Sequence, residues 1–201
     1  MRFFKMKRIL YKFVALTLVV GLLSSIGCTK GDGNIVSEEI TAREFCTITI
    51  NGAANVNVQH GEDYRVVVTT DNNLQSFVLV EAKNNVLHIS TKRNANIRTT
   101  KLIVDVYLPE LQGINSHGVG NVKLPDGNAS NLEISLTGVG NIDGQNYQVE
   151  NVAIRQSGVG NATIWATNSL SGTLSGVGNI RYKGDPTVSV NVSGVGRVSR
   201  L

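Results

Sequence analysis

Gly118-Val119-Gly120-Asn121 is followed by Gly138-Val139-Gly140-Asn141, Gly158-Val159-Gly160-Asn161, Gly176-Val177-Gly178-Asn179 and Gly194-Val195-Gly196-Arg197. The first glycines stand 20, 20, 18 and 18 residues apart. A fixed period of this size marks a repeat architecture. Leu132, Ile134 and Leu136 alternate ahead of the second copy, Val152 and Ile154 ahead of the third, Leu170 and Leu174 ahead of the fourth, and Val188, Val190 and Val192 ahead of the fifth. A period of two reads as a strand with one buried face. Shorter apolar runs follow the motifs: Val122 and Leu124, Ile142, Ala162 and Ile164, Ile180 and Tyr182. Each repeat is therefore strand, glycine corner, short strand and loop.

From the first strand residue to the first glycine the distance is always 6, whereas from the Asn to the next strand it is 11, 11, 9 and 9. All length variation falls in one loop, where Pro125-Asp126-Gly127-Asn128 and Lys183-Gly184-Asp185-Pro186 carry turn chemistry. One repeat cannot bury enough apolar surface to offset the entropy of ordering its chain, so neighbours have to share a core. The expectation is an all-β fold, a parallel β-solenoid (β-helix) with 18- to 20-residue coils. Asn51-Gly52-Ala53-Ala54-Asn55-Val56 is a degenerate copy of the motif, preceded by the alternation Cys46, Ile48, Ile50. Strand-like runs at 64–69, 77–80, 86–90 and 102–108 follow it, with Asn84-Asn85 as a hairpin turn between the middle pair. Residues 45–116 are expected to be a strand-rich segment packed on the first coil, and 117–201 to hold the repeats.

The 201 residues carry a formal charge of +4, from 19 Lys and Arg against 15 Asp and Glu. Five of those cations, Arg2, Lys5, Lys7, Arg8 and Lys12, precede the apolar run Phe13 to Ile26. Residues 28–201 are near neutral, with 14 basic against 15 acidic residues, so the electrostatic footprint of a nucleic-acid binder is absent. The cationic start, the apolar run and the small residues before Cys28 have the layout of a secretory signal peptide over 1–27. Ser25-Ile26-Gly27-Cys28 resembles a bacterial lipobox, which implies acylation of Cys28 and a membrane anchor. Residues 28–44 are then expected to be a flexible, lipid-anchored tether. If Cys28 is acylated, Cys46 has no disulfide partner and reads as a small buried hydrophobe.

The candidate chemistry is sparse. Gly-x-Gly cradles phosphate when it opens a helix, and no helical period follows any copy, so the glycines read as structural corners with φ > 0. The column Asn121, Asn141, Asn161 and Asn179 holds Asn where calcium-binding repeats hold Asp, and it reads as a hydrogen-bonded ladder. His60, His88 and His117 have no metal-ligand spacing, and no nucleophile elbow is present. No catalytic residue, metal or cofactor is expected. Outward positions Lys123, Asp143, Thr163 and Arg181 are of mixed charge and read as a solvated face rather than a groove of converging acids and bases. Trp165, Tyr147 and Tyr182 lie on or near the variable loops, where they could meet a sugar or a protein partner.

Leu111-Gln112-Gly113-Ile114-Asn115, the repeated Ser-Gly-Val-Gly-Asn-Ile, the Asn51 to Val56 start, Asp71-Asn72-Asn73-Leu74 and the Leu102 to Pro109 run together resemble the bacterial family "putative auto-transporter adhesin, head GIN domain", from about Phe45 to Leu201. The resemblance implies an exported all-β domain, frequent in lipoproteins, and brings no catalytic residues. The function expected is that of a non-enzymatic cell-envelope lipoprotein whose rigid platform serves binding or adhesion to a protein or glycan. The location expected is the outer membrane. The alternatives are a glycan-active β-helix enzyme and an envelope accessory protein without external ligand.

Overall fold

A computed structural model describes residues 29–92, 97–99 and 101–201. The expected signal peptide and the lipidation site Cys28 lie outside the described residues.

The chain runs through β1 (Thr29–Lys30), β2 (Ile35–Thr41), β3 (Phe45–Asn51), β4 (Asn55–His60) and β5 (Arg65–Asp71) to a 3-10 turn (Asn72–Phe77). It continues through β6 (Val78–Lys83), β7 (Asn85–Thr91), β8 (Ile97–Arg98), β9 (Leu102–Leu108), β10 (Gly113–Ser116) and β11 (Val122–Lys123). The remaining strands are β12 (Gly127–Leu136), β13 (Ile142–Gln156), β14 (Ala162–Leu174), β15 (Ile180–Lys183), β16 (Thr187–Val192) and β17 (Val198–Arg200). Among the described residues β1 and β8 form a small parallel pair, and the other strands form one 15-stranded sheet.

The period-two pattern sets the register. Ile114 pairs with Ile134 and Ile134 with Ile154, while Val122, Ile142, Ala162, Ile180 and Val198 lie side by side on successive parallel strands. Because side chains alternate between faces, this register stacks like on like, and Ile114, Ile134, Ile142, Ala162 and Ile180 are all sealed from solvent. The expected hairpin is present: β6 and β7 pair antiparallel across Asn84 and Asn85, which take φ of 51° and 62°.

The expected parallel β-solenoid with a separate strand-rich segment packed against it is not what the chain forms. The sheet is mixed, mostly parallel, and nearly closes on itself like a barrel. Residues 45–116 do not lie against the repeats; they contribute β3, β4, β9 and β10 to the same hydrogen-bonded sheet. Three antiparallel pairings bound it, β2 with β5 and β5 with β9 at one end of the strand order and β6 with β7 at the other. The physical reason is twofold. β13 and β14 are too long to belong to one side: β13 pairs with both β11 and β12, and β14 with both β15 and β16, so they carry the sheet around the core. The alternation at Cys46 to Ile50 also matches that of the repeats, so β3 is accepted directly beside β10.

Of the stretch expected to be a tether, the described residues 29–44 hold two strands rather than a flexible linker. β2 pairs with β5 along its whole length, from Ile35 with Asp71 to Thr41 with Arg65. The buried Asp71 carboxylate accepts the Gly33 N–H at 2.9 Å and the Thr99 hydroxyl at 2.8 Å. Cys46, read as a core hydrophobe, is half-buried; its thiol faces the Asn85 carbonyl at 3.9 Å.

Candidate functional site

The five glycine motifs come together as a single corner. Val119, Val139, Val159, Val177 and Val195 form a parallel ladder of isolated bridges that starts at Ala53. Neighbouring strands lie ~4.8 Å apart, so the five valines line a straight ridge of about 19 Å. The valines point out of the sheet, and between 49% and 72% of each is exposed. Core packing does not ask for them there. Thr shares their β-branched shape and would satisfy the backbone equally, so an unbroken column of valine is an exposed apolar surface that the fold itself leaves unexplained.

Both glycines of each motif stand where a Cβ would strike the backbone one strand earlier, and the second has a further reason. The second takes a left-handed φ, +154° at Gly140 and +136° at Gly178, as Gly120, Gly160 and Gly196 also do. The first does not. A Cβ on Gly138, Gly158, Gly176 or Gly194 would run into the carbonyl oxygen of Gly118, Gly138, Gly158 or Gly176, one strand earlier. Corner strain expected at the first glycine is therefore replaced by a steric reason, the close approach of one backbone to the next.

One flank of the ridge is the Asn ladder. The Asn121 Oδ1 accepts from the Asn141 N–H at 3.0 Å and from its Nδ2 at 2.9 Å; the same pair of bonds links Asn55 to Asn121, Asn141 to Asn161 and Asn161 to Asn179. Arg197 donates its N–H to Asn179 at 3.3 Å and, lacking a side-chain acceptor, ends the ladder. On the other flank His117 Nδ1 meets the Thr137 hydroxyl at 2.7 Å. Beneath the corner the buried Gln156 donates its Nε2 to the Gly160 carbonyl at 2.6 Å.

The three aromatic residues do not share a surface. Tyr147 is 3% exposed, so its expected place at a partner contact is corrected: it belongs to the core. Its hydroxyl donates to the Leu111 carbonyl at 2.9 Å and accepts the Leu111 N–H at 3.3 Å. Burial raises its pKa above the usual value; the bond to Leu111 opposes this and Glu110 adds to it. Trp165 is half-buried, with the Lys183 ammonium 3.6 Å from its ring centroid, and Tyr182 packs against the core edge. Lys123, Asp143, Thr163 and Arg181 stand side by side as a mixed row. Among the described residues no cluster of three or more His, Cys, Asp or Glu could hold a metal. Sequence reasoning found the glycines and the Asn column but missed the valines between them; the signal was present, since the middle residue of a repeated Gly-x-Gly corner is free to vary unless its side chain is used.

Fold and ridge together define an all-β protein whose repeated motif builds an exposed surface. The chain belongs to the family "Putative auto-transporter adhesin, head GIN domain", whose model matches residues 44–126 and 116–186. A structure described as a "putative adhesin" from Bacteroides fragilis NCTC 9343 is similar in fold, at 24% identity and a TM-score of 0.59, covering 86% of this chain and 99% of that one. Another, described as a "putative lipid binding protein" from Parabacteroides distasonis ATCC 8503, is 20% identical with a TM-score of 0.51, covering 87% of this chain and 100% of that one. No curated protein matches the chain. Neither the family nor these neighbours are described as enzymes. An adhesin family suggests an exported protein of the cell surface or envelope; among the described residues no helix is long and apolar enough to cross a membrane.

Proposed function

We propose that this is a non-enzymatic envelope protein, anchored through an acylated Cys28, that adheres to a protein partner by its valine ridge. The observation that carries the reading is the exposure of five stacked valines on one corner. Covering their exposed halves is worth roughly 4 to 7 kcal/mol at about 1.5 to 3 kcal/mol per fully buried side chain, enough to form the centre of an interface. The polar columns beside the ridge favour a protein groove over a bilayer: each ladder Asn keeps a second Nδ2 hydrogen beyond its ladder bond, which the wall of a groove can accept and lipid tails cannot. A glycan-active enzyme draws no support from the mixed row Lys123, Asp143, Thr163 and Arg181, which contains no facing pair of carboxylates.

The test is the adherence of cells that display the wild-type chain or Val139→Ser/Val159→Ser/Val177→Ser. Adherence should fall about tenfold or more, as for loss of a central apolar contact, with the melting temperature held within a few degrees. Unchanged adherence, or vesicle flotation that depends on the three valines, would overturn the reading.

A further inference from the structure

A second surface lies away from the ridge. β4 pairs with β9 as far as His60, but on its other side β11 accompanies it only at Val56 and Asn57. In that register the next donor to the Val58 carbonyl would come from position 125, and Pro125 has no N–H. The ladder stops there, and the chain turns away through Pro125 to Asn128. Beside the uncovered end of β4 this leaves two adjoining depressions of about 500 and 510 Å³ that meet at His60 and Asp126. Each is within the size range of small-ligand sites.

The groups facing this groove are polar and partly fixed in advance. The Pro109 carbonyl can only accept, so the His60 Nδ1 at 3.0 Å donates to it, which leaves Nε2 as the ring nitrogen for a ligand. The Asn57 Nδ2 donates to Asp105 at 2.8 Å, which leaves its Oδ1 to accept. Asp126 and Glu110 add carboxylate acceptors; Lys123, Gln59 and Asn128 add donors. Donors and acceptors in near balance, set around the apolar Val58, Leu124 and Pro125, match a ligand whose groups each donate and accept. An anion would face two carboxylates against one ammonium. Among the described residues no His, Cys, Asp or Glu cluster suits a bare metal ion. The uncovered stretch of β4 spans only Val58 to His60, too short to hold a peptide by a backbone ladder.

We propose that the groove between the end of β4 and the Pro125–Asn128 turn binds a neutral oligosaccharide through its vicinal hydroxyls. This goes beyond the protein contact assigned to the ridge. Saturation-transfer NMR on the full chain with gluco-, manno-, xylo- and chito-tetraose tests it, with Gln59→Ala and Asp126→Ala as exposed substitutions that leave the core intact. At least one of these sugars should receive saturation, with backbone shift changes confined to residues near 57–60 and 123–130. Each substitution should weaken binding about tenfold, the loss expected for a hydrogen bond to a charged or fixed group. Val139→Ser/Val159→Ser/Val177→Ser should leave sugar binding unchanged, which separates this site from the ridge. No transfer to any of the four sugars, transfer that survives both groove substitutions, or transfer only to oligogalacturonate would overturn the proposal.

Discussion

Single residues of this protein act through backbone contact more than through side-chain chemistry. Gly158 is glycine because the Gly138 carbonyl passes where a Cβ would stand, and Gly160 because the Gly140 carbonyl does the same and its φ is +150°. Both needs recur at every motif, which is why the glycines and the Asn ladder could be read in advance: one contact, repeated, leaves one periodic mark. Tyr147 left no such mark. It occurs in one repeat only, and an aromatic residue in a variable loop gives no sign that its hydroxyl will find the Leu111 backbone across the core. That burial has a pH consequence. A phenol whose folded pKa lies above its unfolded value of about 10 contributes stability in full below that pH, and the contribution is lost as pH rises from there through the folded value. Chemical denaturation of wild type should therefore show stability falling above about pH 10, with a shallower fall in Tyr147→Phe. At neutral pH the same substitution should cost about 1 to 3 kcal/mol, because it leaves both Leu111 backbone groups buried and unpaired. Equal alkaline slopes would contradict this role.

Elements follow the repeat where the pairing is parallel and depart from it where the chain length changes. The step from 20 to 18 residues was legible as a loop difference, but β13 runs unbroken from Ile142 to Gln156. The difference is absorbed as register shifts against β14, between Gly144 and Gln148 and between Val149 and Asn151. Gln145 and Asn146 are exposed within the first shift, while Tyr147 beside them is buried. Deleting Gln145 and Asn146 should thus shift the melting temperature by only a few degrees, whereas deleting Asn146 and Tyr147 should abolish cooperative unfolding; calorimetry of the two variants separates them. At the N-terminal end, β2 escaped the sequence reading for a different reason. Gly31, Gly33, Glu38 and Glu39 have the composition of a linker, and its partner β5 lies about thirty residues away, a pairing that no local pattern announces.

At the scale of the whole molecule, the repeat led to an expectation of one-dimensional stacking, and the antiparallel pairs at the two ends of the strand order, together with the two long strands, made it a nearly closed mixed sheet. Such closure depends on non-local pairing, which periodicity does not encode. The outcome for function is a rigid body with one apolar corner, since every valine of the ridge is fixed by its bridge to the next. The central claim is that this corner is where the protein meets its partner. A photo-crosslinking amino acid placed at Val159 on the ridge, or at Glu133 on the outward face of β12, tests it in cells that display the chain. The account predicts a discrete protein adduct from position 159 and none from position 133. Adducts of equal yield at both positions, or at 133 alone, would contradict it.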